Sequence, residues 1–271
     1  MALALFLGAT VEYGHGSGWI GLLLISFAIV LLFKIKFTSE HVYKSSKLLA
    51  VLGFLIILAD IGYNYYFKSQ LGTLDTMTLF FGASLTATAV KNDHIRKMSS
   101  FGMYTSMSFI ILFVLFYNLF PKLGFEFIRY FDQYLVVIPS AYLGNMIGVP
   151  VEVLDLESVF ISGKYSMQIR IGAACSGLYS ILLLISIVIS YAITEGINAK
   201  GKIFKILGFS ILAAWAGNLA RITTLFYIAA NYGKDTMMTV HVNLGWIIFA
   251  IVAVIVMYLL TRIKNPDFSH V

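Results

Sequence analysis

The sequence predicts an all-α polytopic membrane protein, with about seven transmembrane helices, one re-entrant or interfacial helix and a small extracytoplasmic β-hairpin. Composition is the first observation behind this. Hydrophobic residues are 59% of the 271 and charged residues 12%, at a mean hydropathy of +0.88, where soluble domains run at about a quarter charged. The second is length: apolar stretches recur at the roughly 17–25 residues a helix needs to cross hydrocarbon. The third is where the charge sits. The net +6 lies in short basic clusters between apolar runs, which mark topology and argue against a nucleic-acid-binding face or tail.

Taken in order, the spans are Trp19–Phe33, Leu48–Phe67, Leu74–Val90, Phe101–Phe120, Leu178–Ile193, Ile203–Ala230 and His241–Thr261. Met1–Leu7 carries no basic residue and no small-residue cleavage pattern follows, so the first span is expected to be retained. An eighth apolar segment, Gln133–Val149, is interrupted by Pro139, Gly144, Asn145 and Gly148, all weak or breaking inside a helix. Lys34, Lys36, Lys44 and Lys47, then Lys91, Arg96 and Lys97, then Lys200, Lys202 and Lys205, and finally Arg262 and Lys264 form four basic clusters. Placing all four inside requires an outside amino terminus and an odd number of crossings between the Lys91 loop and Leu178. Phe101–Phe120 supplies that crossing, so Gln133–Val149 is expected not to span.

Between Val151 and Gly172 the periodicity changes. Tyr165, Met167, Ile169 and Ile171 alternate with Ser166, Gln168 and Arg170, the period of a strand, and Ser162-Gly163 supplies a turn before them. The chain thus reads as a single integral membrane domain over 1–271: amino-terminal helices at 17–120, the broken helix and outer hairpin at 121–176, and a last group of helices at 177–264.

Three residues of the last group invite chemistry. Cys175, the one cysteine, excludes an internal disulfide and a four-cysteine metal site. It opens the helix beginning at Leu178, where the positive helix end favours a thiolate; a lone cysteine can equally be a small buried hydrophobe. Arg221 lies inside an apolar run, where a charge needs a partner or a function. Asn218 precedes it by one turn on the same face. His241, at the head of the last span, has the side chain best suited to moving a proton to and from a thiol. The charge-derived topology puts all three at the outer membrane face. Asp60 and Asn64 form a separate polar patch, and His15, His41 and His94 show no metal-ligand spacing, so neither a metal nor a cofactor is expected.

The segments Ala174-Cys175-Ser176-Gly177 and Gly217-Asn218-Leu219-Ala220-Arg221-Ile222, followed by His241 ahead of Gly245-Trp246, resemble the exosortase/archaeosortase family in order, spacing and membrane context. The resemblance covers mainly Val151–Ile263 and leans toward the archaeal branch. It implies a membrane-embedded cysteine transpeptidase, with Cys175 as nucleophile, Arg221 as transition-state stabiliser and His241 as acid/base; Asn218 and Ser176, which neighbour these residues in the sequence, are expected to bind the substrate. Some family members carry arginine where this chain has His241. The implied substrates are membrane-anchored proteins with a carboxyl-terminal sorting signal, a short motif followed by a membrane helix and a basic tail. The enzyme removes the signal and passes the new carboxyl end to a membrane lipid or another acceptor. The implied place is the cell membrane, multi-pass, with the active site on the extracytoplasmic side. Gln133–Val149 and the hairpin are expected to wall the cleft. The competing readings are a transporter with Arg221 and Asp60 as intramembrane charges, a structural membrane protein with an inert Cys175, and a membrane acyltransferase.

Overall fold

The computed structural model describes residues 46–69, 71–172, 175–197 and 199–264. The predicted span Trp19–Phe33, with its following lysines Lys34, Lys36 and Lys44 and with His15 and His41, lies outside the described residues.

The described chain is mostly helical, with one three-stranded sheet. Its helices are α1 (Lys47–Phe67), α2 (Thr73–Ala87), α3 (Asp93–Val114), α4 (Phe120–Lys122), α5 (Phe127–Tyr130), α6 (Ile138–Met146), α7 (Leu178–Thr194), α8 (Lys200–Tyr232) and α9 (Lys234–Lys264). Among the described residues, four helical stretches are long and apolar enough to cross a membrane: Lys47–Phe67, Asp93–Lys122, Lys200–Tyr232 and Lys234–Ile263. α7 is a shorter apolar helix. The predicted span Leu74–Val90 is realised as α2, which stops at Ala87 after 15 residues, fewer than the roughly 20 that match the hydrocarbon thickness.

The described residues form two compact units, one of 46–115, 182–207 and 260–264, the other of 116–172, 175–181 and 208–259. In the first, Ser46 caps α1 by accepting from the Leu49 N–H at 3.2 Å, and Asn92 caps α3 by accepting from the amides of His94 and Ile95. α1 and α2 meet backbone to backbone: a Cβ on Gly53 would come within 2.4 Å of the Gly82 carbonyl oxygen. Such small-residue contacts are how helices associate where lipid removes the hydrophobic drive. The patch predicted around Asp60 and Asn64 is a local clasp. The Asn64 amide donates to the Asp60 carbonyl at 3.0 Å and to the Asp75 carboxylate at 3.3 Å, while the Ser69 hydroxyl donates back to it at 2.5 Å.

The second unit is built around the sheet. The predicted hairpin is a three-stranded antiparallel meander of β1 (Val151–Val153), β2 (Ser158–Ile161) and β3 (Met167–Arg170), paired in that order. The Asp155 carboxylate makes the first turn by accepting from the amides of Glu157 and Ser158, both at 2.8 Å. In the second turn Gly163 lies so close to Ala230 that a Cβ would sit 2.8 Å from its side chain, and the Tyr165 N–H donates to the Ala230 carbonyl. The inner face, with Val151, Val159, Ile161 and Ile171, packs in one core with Ile222, Phe226 and Ala229 of α8 and with Val136, Val137 and Ala141.

The segment expected to be broken is helical from Gln133 to Met146. α5 continues through a π-helical stretch, Phe131–Val137, into α6. Pro139 has no N–H for the carbonyl four residues before it, and the Trp215 indole N–H supplies one to that Leu135 carbonyl at 2.6 Å. The wide turn and this donor, 80 residues away, absorb the proline; the helix ends where Gly148 adopts φ +83°. Asn145 then ties helix to sheet, donating to the Val151 carbonyl at 2.9 Å and accepting from its N–H at 3.0 Å. The stretch is not among the four helices suited to crossing a membrane.

Candidate active site

From β3 the chain passes through a tight turn into α7. The Cys175 N–H donates to the Gly172 carbonyl at 2.7 Å, and Gly177, at φ +79°, accepts the first helical bond from Ile181. A side chain at position 177 is excluded twice over. The left-handed backbone disfavours it, and a Cβ would come within 2.7 Å of Asn218. That contact matters because the Asn218 amide donates to the Ser176 carbonyl at 2.8 Å and fixes the turn bearing Cys175 to α8.

One turn along α8, Arg221 reaches over the same turn. Its Nη1 lies 3.5 Å from the Asn218 oxygen, and its Nη2 lies 3.4 Å from both His241 ring nitrogens. His241 Nε2 in turn lies 3.6 Å from Cys175 Sγ. Gly245, one turn beyond His241, leaves the guanidinium its room, since a Cβ there would be 3.2 Å from Arg221 Cζ. Arginine carries donors only, so it meets only the unprotonated nitrogen of a neutral imidazole; in the tautomer that leaves Nε2 unprotonated, that lone pair faces both the guanidinium and the thiol and can take the thiol proton. Among the described residues, the buried Arg221 Nε meets no acceptor.

All five residues singled out in the sequence, Cys175, Ser176, Asn218, Arg221 and His241, thus meet in one constellation within one unit. Asp60 belongs to the other. Two expectations are corrected. His241 is not the head of its helix: α9 begins at Lys234, after Gly233 at φ +86°, so His241 sits about two turns inside and faces the thiol. The cleft is walled by β3, α8 and α9, without Gln133–Val149, whose valines pack into the core instead. That cavity holds about 190 Å³, with Cys175, Arg221 and His241 on its wall and Leu225, Phe226 and Met237 making it largely apolar.

The Cys175 thiol is not the ready thiolate that a helix end suggests. Burial pushes it above the ordinary cysteine range, the Arg221 guanidinium draws it back, and Asp132 adds to the rise. Its ionisation therefore needs a base at reaction time, and alkylation by iodoacetamide should still be accelerating above about pH 9, where a free cysteine levels off. Arg221→Gln removes the one lowering influence and should move the profile further up. A plateau below about pH 8 would contradict this environment.

Asp132 was not singled out, although an acid in the largely aromatic and aliphatic run Phe127–Val137, which also holds Arg129 and Gln133, was the signal that could have found it. It is 1% exposed. Burial pushes its carboxyl up to about 6, against the pull of the Ser176 hydroxyl and with Glu157 adding to the rise. The raised value means the fold tolerates the protonated form, so stability is full below the ordinary 3.8 and is lost as pH rises through about 6. Asp132→Asn, neutral at every pH, should raise the thermal midpoint over wild type by an amount that widens between about pH 4 and about pH 7; a difference independent of pH would contradict the assignment. Among the described residues no group of three or more histidine, cysteine or acidic side chains could hold a metal ion.

Comparison with known proteins gives one family. The family model described as transmembrane exosortase matches residues 3–258. No curated protein and no solved structure matches the chain.

Proposed function

The chain belongs to the transmembrane exosortase family, and from that premise we propose that it is a membrane-embedded cysteine transpeptidase with Cys175 as nucleophile, His241 as acid/base and Arg221 as oxyanion donor. The observation that carries the assignment of roles is the line of contacts Cys175 Sγ, His241 Nε2 and Arg221 Nη2, at 3.6 and 3.4 Å. Nucleophile and base within reach, with a fixed cation beside them, is the arrangement covalent acyl transfer needs.

His241 Nε2 takes the thiol proton as sulfur attacks the scissile carbonyl carbon. The carbonyl electron pair moves to oxygen. Cys175's own N–H is committed to Gly172, so the charge falls to Arg221, whose buried Nε has no other acceptor among the described residues. Collapse expels the amine, which leaves with the proton from His241, and a thioester remains on Cys175. The acceptor, a lipid hydroxyl or another nucleophile, gives its proton to His241 as it attacks, and the released thiolate takes that proton back. Asn218 acts by holding the Ser176 carbonyl and thereby the Cys175 turn. The substrates are membrane-anchored proteins with a carboxyl-terminal sorting signal, met at the extracytoplasmic side of a multi-pass protein; the basic clusters support that orientation. The transport reading is not favoured: Arg221 meets His241 and Asn218 beside Cys175.

The test is co-expression with a membrane-anchored protein from the same genome that ends in a short motif, an apolar helix and a basic tail. A mobility shift that depends on this chain supports the proposal. Identical migration with and without it would overturn it.

A further inference from the structure

β3 is an edge strand that opens on the site. The Ile171 N–H donates to the Glu157 carbonyl at 2.6 Å, and Ile169 pairs with Val159, so residues 167, 169 and 171 direct their backbone groups at β2. By the alternation of antiparallel ladders, the N–H and C=O of Gln168 and Arg170 point away from the sheet. Among the described residues no strand pairs with that side, and both residues are exposed. An unpaired edge is a template for another extended chain.

This edge is continuous with the reaction centre. Ile169, Arg170 and Ile171 wall the cavity that Cys175, Arg221 and His241 share. The strand leads to Cys175 through one turn, closed by the Cys175 N–H on Gly172. A cavity of about 190 Å³ takes one or two side chains, too little to hold the segment around a scissile bond. We infer that the outer edge of β3, at Gln168 and Arg170, is the docking strand for the substrate: an extended segment flanking the scissile bond adds to it as a fourth strand and brings its carbonyl to Cys175. Backbone bonds then supply affinity, and every second side chain enters the apolar cavity beside Phe226 and Met237. The inference rests on the transpeptidase reading.

The test has two parts, both in membranes holding the full chain and its anchored substrate. A photo-crosslinking residue at position 168 in the Cys175→Ala protein should yield an adduct to the substrate beside the scissile bond, whereas the same residue at Val153, on the opposite edge strand, should not. Gln168→Pro deletes one outward N–H without touching the ladder to β2 and should slow processing by about tenfold. Alkylation of Cys175 at the wild-type rate in Gln168→Pro certifies an intact site. An adduct within this chain, an adduct at both edges, or full processing by Gln168→Pro overturns the docking strand. Processing by Cys175→Ala would overturn the transpeptidase reading itself, so the two failures are distinguishable.

Discussion

Cys175→Ala should bring substrate processing below detection while the protein remains folded. Covalent catalysis has no substitute for the sulfur: His241 and Arg221 sit within reach of Cys175 and of each other, but neither can form the thioester. Removing the nucleophile of a triad costs about 10⁶ in rate where measured, leaving only what binding and oxyanion stabilisation provide. The fold should be indifferent to the change. The residue is half-buried at the edge of the core, its N–H bond to Gly172 is a backbone bond that alanine keeps, and the change deletes one atom. The check pairs the mobility shift of the substrate with thermal unfolding of the purified variant. A midpoint near wild type with no processing is the expected result; processing at even a tenth of the wild-type rate would contradict a nucleophilic role.

Arg221→Lys should be nearly as damaging although it keeps the charge. The guanidinium touches both His241 nitrogens at 3.4 Å and Asn218 at 3.5 Å, and leaves a further buried donor, Nε, without an acceptor among the described residues. A lysine ammonium is a point charge on a flexible stem and cannot hold a planar fork of this kind. Loss of one oxyanion donor costs about 10²–10³ in turnover, and the loss should appear in kcat more than in KM, because the bond forms only with the developing charge. Alkylation of Cys175 separates this from a collapsed site: lysine preserves the positive charge that draws the thiol down, so its pH profile should stay near wild type. A variant with unchanged kcat would remove Arg221 from the chemistry.

Much of this arrangement was readable in the residues. Cys175, Arg221 and His241 lie at helix positions that lysine and arginine clusters alone bring toward one end, and the period of two from Tyr165 to Ile171 marked the strand beside them. What escaped depended on distant partners or on polar residues in helices. Pro139 read as a break because the donor that satisfies Leu135 lies on Trp215. His241 read as a helix start because Lys234, Asp235 and Thr236 depress the hydropathy of a turn that is nonetheless helical. β1, three residues long, is too short to show a period; its partner Asn145 belongs to the helix before it. Asp132 escaped because only the folded chain buries it beside Ser176.

The proposed transfer passes through a thioester on Cys175. Purified protein in lipid, mixed with its anchored substrate and quenched in acid, should give a covalent adduct whose mass is that of the chain plus the substrate's amino-terminal product, located at Cys175 and released by neutral hydroxylamine. No adduct at Cys175, with the substrate still cleaved, would contradict it.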